Sequence, residues 1–428
     1  MQVRSRSSLR AGSGRRPSDP VSGSSAVRVV LLLGLTGIAP GVTADCFDGV
    51  AAQERLLPCP ARRADADTSA PDQLRPGLSV TLESGAKLRR ITSNELLGVS
   101  DGEARHAYSR RQAWNADETL VAVGQKLLDP MSLEVFLDDV PLSSERLWSH
   151  RFPRLMFGMQ FDGSRLNRLA RLDVDTRETV VLAQFDRYER CTIGEGEGVQ
   201  TNDDQKVLLT CKVDEDDETT ALVAVDLSDG QVIAKRQIKE DVNWAGYSQS
   251  GKYVLVESRP IDSSAPKHLI RMTSDLLEPT VITDDRHHGD FGLDANGEDV
   301  FVMIDDENVE YLRLRDGLQI TLDVSDRIGP LQHGHVSCRN TRRPGWCYFS
   351  AGSDRVGAVR IGEPSSNGTA HARGDDDAEL ELWGRHYSSA SEYASQPKAV
   401  ASPSGRQVMF TSDWQGEAEV NDYVLSVD

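Results

Sequence analysis

A chain of 428 residues is too long for one ordinary core unless it is modular or a large all-β domain. Its formal net charge of −19 argues against nucleic acid as a partner, because phosphate binding needs a basic face. Hydrophobic residues make up 38% and aromatic residues 6%, so the chain can fold but spreads its core thin. Residues 1–28 are basic, polar and Gly/Ser-rich, and "VVLLLGLTGIAPG" follows, with small residues at Val42 and Ala44. This is the layout of a secretory leader, residues 1–44, cleaved after Ala44. Its apolar run is too short to span a bilayer. Residues 45–76 read as a loop segment. The expected location is the periplasm or the extracellular space, with no membrane contact once the leader is removed.

From residue 77 to 428 one unit recurs. A polar turn rich in Asn, Asp or Gly precedes a β-branched and apolar run, as in "WNADETLVAV", "TNDDQKVLLT", "SQSGKYVLVE", "LDANGEDVFV" and "SPSGRQVMFTS". A second apolar run follows, as in "TALVAVDLSDGQVIAKR", joined by the turn chemistry of hairpins. Copies lie roughly 40–60 residues apart, the period of a propeller blade. Helical periodicity is nearly absent. The pattern predicts an all-β, seven-bladed β-propeller. The last blade is one strand short, and "GLSVTLESGAKLRRIT" supplies the missing strand and closes the ring. A tandem of β-sandwiches fits the strands but not the period.

In such a fold the segments just before each inner strand gather at one mouth of the central channel. Those segments hold His106, His287, His288, His333 and His335, together with Tyr108, Tyr188, Tyr393, Arg110, Arg111 and Arg190. An acidic protein is thus expected to carry a locally cationic pocket rich in His and Tyr. "HGH" places His333 and His335 on one face of a strand. "GEGEG", Gly194–Gly198, is not read as a phosphate loop, since its glutamates repel phosphate and no helix follows.

Six cysteines suit an oxidising compartment. They fall in three local pairs, Cys46/Cys59, Cys191/Cys211 and Cys338/Cys347. Cys338 and Cys347 stand equally far from the centre of the turn "NTRRPG" and would face each other across a hairpin. That favours a disulfide over a zinc pair, whose cysteines usually come as C-x₂-C.

The turn "SPSG" with its following "VMFTSD" resembles Tol-type and oligogalacturonate-lyase-type propellers. "HAYSRRQAWNADET", "HHGDFGLDANGEDVFV" and "HVSCRNTRRPGWCYFS" resemble secreted bacterial propellers close to ulvan-type polysaccharide lyases. The resemblance covers residues 77–428. It implies a lyase that cleaves uronate-containing acidic polysaccharides or oligosaccharides by β-elimination. Such a reaction needs a cation at the carboxylate, a base for the C5 proton and an acid for the departing O4. By residue type and expected location the mouth offers His106 as base, Tyr188 as acid and Arg190 or Arg111 as neutraliser, with Tyr108, Arg111, His287 and Tyr393 at the substrate. Oligogalacturonate lyases hold a divalent metal with paired histidines before the last turn. This sequence has Gln396 and Lys398 there, which leaves His288, His333 and His335 as candidate ligands for zinc, manganese or calcium. The alternative is a non-catalytic propeller that binds a glycan or a protein, and in either case a monomer is expected.

Overall fold

The computed structural model describes residues 71–427 apart from short stretches at 101–103, 215–218, 262–266, 284–288, 305–307, 330, 332–333, 352–353, 363–370, 374–378 and 417–418. The leader, Cys46, Cys59, His287, His288 and His333 therefore lie outside the described residues. Within them the chain is all-β. The helices are two single turns, Asn94–Leu97 and Ser325–Ile328. No described helix is long and apolar enough to cross a membrane.

The strands form antiparallel sheets that follow one another along the chain. Val121–Val123, Lys126–Leu128 and Val135–Leu137 make a first small sheet, to which Trp114 adds a bridge at Val121. Two meanders come next, Leu147–Trp148 to Thr179–Gln184 and Arg190–Ile193 to Val232–Ile238. A single parallel pair, Arg190 with Leu166, joins them into one sheet. Glu240–Tyr247 opens a four-stranded sheet, Gly289–Leu293 a five-stranded one and His335–Ser337 another of four. The last sheet is assembled from both ends of the described chain. Lys87–Arg90 pairs antiparallel with Asn421–Ser426, and Ser79–Thr81 extends it.

Alternation decides which side chains are buried. In Lys206–Lys212 and Asp299–Ile304 nearly every residue is buried, because both faces of those strands are covered. Outer strands such as Val232–Ile238 show the alternating pattern of a half-wet surface. Apolar side chains form clusters that each bridge consecutive sheets. Trp148, Met156 and Leu172 pack on Leu127 and Leu137. Trp244 and Leu255 pack on Phe291 and Phe301. Val400, Met409 and Val424 of the last sheet pack on Trp114, Val121 and Leu128 of the first.

Two of the expected cysteine pairs are disulfides. Cys191 and Cys211 stand directly opposite in adjacent strands, with Cα atoms 4.1 Å apart. Cys338 and Cys347 clamp the "NTRRPG" hairpin with Cα atoms 4.4 Å apart. This second bridge lies against Gly292, where an added Cβ would come within 3.2 Å of both sulfurs. Beside it Arg339 and Asp290, both essentially fully buried, pair at 2.9 Å. Asp290 also accepts the Cys338 N–H at 2.8 Å, which ties two sheets together at the same level.

Candidate functional site

Residues 105–112 run among the opening strands of several other sheets. The Arg110 Nε donates to the Gly289 carbonyl, and its Nη1 pairs with Glu197 at 2.8 Å. The guanidinium lies 4.3 Å from the centre of the Trp244 ring, a cation–π contact. Tyr108 meets the His335 ring edge-on, with centroids 5.4 Å apart. Gln112 donates its amide to the carbonyls of Arg339 and Ala401. One stretch of chain therefore touches strands Glu240–Tyr247, Gly289–Leu293, His335–Ser337 and Val400–Ala401.

Lys398 faces this stretch. It is 1% exposed and sits in the left-handed backbone region, φ 44°. Its Nζ donates to the Tyr393 carbonyl at 2.8 Å and lies 3.5 Å from the centre of the Tyr393 ring. Tyr393 itself is 58% exposed, so it forms the solvent side of the ammonium's enclosure. Burial and, after it, the charge of Arg105 bring the Lys398 ammonium down to about 7, with Glu197 opposing. Burial moves Tyr108 the other way, well above the ordinary phenol range; Arg110 opposes it, and Glu197, Tyr393 and Glu257 add to it. An amine poised near neutrality thus sits in one electrostatic neighbourhood with a phenol that stays protonated and with two arginines. Opposed displacements of this kind in one cluster are how proteins assign acid and base roles.

The residues expected from sequence divide into three groups. Tyr108 and Tyr393 are brought together here, with His335 against Tyr108. Arg111 is 7% exposed and lines an adjoining cavity, described below. Tyr188 and Arg190 lie elsewhere. Tyr188 packs in the core with Phe157, Leu169 and the Cys191–Cys211 bridge. Arg190 is exposed and lines a separate cavity of about 930 Å³ together with Glu145, Gln160 and Glu189.

His106, expected as the base, is at the site with both ring nitrogens engaged. Its Nδ1 is 2.8 Å from the Asp422 carboxylate and its Nε2 is 2.8 Å from the Lys398 carbonyl oxygen. Both ring nitrogens are therefore held by fixed, buried partners. Its backbone N–H also donates to Asp422, at 2.5 Å. His106 is a buried tether that fixes the carbonyl of Lys398.

Sequence reasoning missed Lys398 as a functional group, and with it Arg105, Glu197 and Trp244. The one available signal was the lysine standing where the resembling family carries a metal-binding histidine. "GEGEG" also gains a reason. At Gly194 (φ 55°) an added Cβ would meet the Ala245 carbonyl oxygen at 1.8 Å, so the glycine permits close approach of strand Glu240–Tyr247. The same loop then delivers Glu197 to Arg110.

No protein-family model matches the sequence, and no curated protein matches it. Solved structures do. An oligogalacturonate lyase in complex with manganese is 14% identical and superposes with a TM-score of 0.55, covering 83% of this chain and 99% of that one. Oligogalacturonate lyase from Vibrio parahaemolyticus is 12% identical, with a TM-score of 0.52, 83% of this chain and 99% of that one covered. The manganese of the first finds no matching cage among the described residues, which place no three His, Cys, Asp or Glu side chains to hold a metal. What the two structures share with this chain is the fold, an all-β propeller of the oligogalacturonate-lyase kind.

Proposed function

We propose that the chain is an exported, seven-bladed propeller, closed by its Lys87–Arg90 strand in the last blade, and that it cleaves uronate-containing saccharides by β-elimination at Lys398. The pairing of Lys87–Arg90 with Asn421–Ser426 and the packing of the last sheet on the first support the closed ring. The two disulfides suit an oxidising compartment. The observation that carries the activity is Lys398, an amine brought to about 7 beside arginines and a protonated phenol.

In this reading the uronate carboxylate approaches Arg105 and Arg110, whose charge acidifies the proton at C5. Lys398, neutral above pH 7, takes that proton once the sugar has displaced the Tyr393 ring from over its Nζ. The C5–H electrons form the C4=C5 double bond and the C4–O4 bond breaks. Tyr108 gives its phenolic proton to the departing O4. Return of a proton from Lys398 to Tyr108 restores both groups. No step requires His106, Tyr188 or Arg190.

The test is a screen of purified protein on ulvan, pectin, alginate and glycosaminoglycans, followed by the ultraviolet absorbance of the unsaturated uronate. Cleavage of one polymer is expected, with a loss of about 10²-fold or more in Lys398→Met. A polymer that binds but is never cleaved would instead favour a non-catalytic glycan-binding propeller.

A further inference from the structure

Beside the Lys398 centre lies a cavity of about 580 Å³ lined by two buried arginines, Arg111 and Arg146. Arg111 and Arg146 are each only 7% exposed. Arg146 donates to the side-chain oxygen of Gln125 at 2.5 Å and to the Gly124 carbonyl. Arg111 donates to the Ser144 carbonyl at 2.8 Å. These acceptors are all neutral. Neither guanidinium forms an ion pair among the described residues, and the Nε of each is buried without a hydrogen-bond partner. Of the other enclosed arginines, Arg339 pairs with Asp290 and Arg343 with Glu381, while Arg90 donates to the carbonyls of Thr92 and Leu74.

Two like charges buried side by side with neutral partners are costly unless something compensates them. Their effect on each other is visible. Burial first, and Arg111 second, bring Arg146 down to about 10, against a weaker pull from Asp139. Arg105 and Lys126 add two more cations to the wall. Of the two carboxylates there, Asp138 is already paired with Lys126. Glu145, and after it Glu197, partly offset the burial of Arg111 electrostatically, but neither forms an ion pair with it among the described residues. In a chain of net charge −19 this is a local surplus of positive charge around an opening.

Part of the remaining wall is apolar, Val99, Ala107, Ala113 and Ala122. Small side chains facing a cavity of this volume leave room for a ring as well as an anion. We propose that the cavity binds a sugar-sized organic anion whose carboxylate or sulfate lies between Arg111 and Arg146. The two guanidinium forks suit either oxyanion, since both offer paired acceptor oxygens. The cavity adjoins the Lys398 centre and shares Arg105 with it, but anion binding there does not depend on turnover.

The experiment is titration calorimetry of the intact protein with D-galacturonate, with methyl galactoside as the neutral control and with inorganic sulfate as a second probe. Galacturonate is expected to bind, methyl galactoside not to, and Arg146→Gln to weaken galacturonate about tenfold or more. Arg111→Gln should act in the same direction. Arg146→Gln removes an uncompensated buried charge, so the unliganded variant should melt no lower than the parent; this keeps it a fair test. Sulfate binding that Arg146→Gln abolishes, without galacturonate binding, would assign the oxyanion as sulfate. Galacturonate binding that survives both arginine substitutions, or no binding of either anion, overturns the proposal. Failure of the lyase reading shows separately, as absent ultraviolet product with anion binding intact.

Discussion

Replacing Lys398 with Met should stabilise the protein most at low pH and progressively less as pH rises. The folded protein holds this amine at about 7, against an ordinary value of 10.5. That difference corresponds to a charging cost on the order of 5 kcal/mol below pH 7. It is a ceiling, because water reaches the ammonium when Tyr393 swings away. Between pH 7 and 10.5 the unfolded chain holds a proton here that the folded chain lacks. Wild-type stability should therefore rise with pH across that window. Methionine has nearly the same length and no charge, so Lys398→Met should lose that slope and be the more stable protein at pH 6. Urea denaturation of both proteins at a series of pH values between 6 and 10 reads the difference directly. Parallel profiles for the two would mean that Lys398 is an ordinary ammonium and would remove the base from the proposed reaction.

Activity on a cleaved polymer should rise through a limb near pH 7, as Lys398 loses its proton, with no fall from Tyr108 at moderately alkaline pH; a pH profile of kcat/KM checks this. His106→Ala should cost about 3 kcal/mol by denaturant midpoint, because it strands the buried Asp422 carboxylate and frees the Lys398 carbonyl. Loss of the Cys338–Cys347 bridge in a double serine variant should cost about 2–3 kcal/mol from loop entropy across its 9-residue separation, read by thermal melts with and without reductant. Gly194→Ala should cost on the order of 3 kcal/mol or more, since both its positive φ and the Ala245 carbonyl oppose a Cβ; an unchanged denaturation midpoint would contradict that contact.

The sheets were legible because their signal is local. Turns such as "SQSG" and "DANG" punctuate runs of period two, and two hairpin cysteines announce their own pairing. The site is built from long-range neighbours, and there the sequence was weaker. His106 stood where a base was expected, but the partner that holds its ring is Asp422, 316 residues away. Lys398 looked like an interruption of a metal motif. Its chemistry comes from burial under Tyr393 and from Arg105, neither of which a sequence window displays. Tyr188 and Arg190 went astray for a different reason. They stand at the start of strand Arg190–Ile193, whereas Glu197, beyond its end, is the residue that reaches Arg110.

The pairing of Lys87–Arg90 with Asn421–Ser426 also sets an order of events during biosynthesis. The hydroxyl of Thr92 accepts the N–H of Asp422 across 330 residues. Translation must pass Asn421 before that sheet can be finished. Until then Lys87–Arg90 has an open edge, the kind that recruits other strands. Joining such distant segments carries a large loop-closure penalty and belongs to the slow class of folding steps. The same seam brings Asp422 to His106 and so fixes the carbonyl of Lys398. The proposed base is therefore positioned only when this late step is complete, and a partly synthesised chain would hold folded sheets without a working centre.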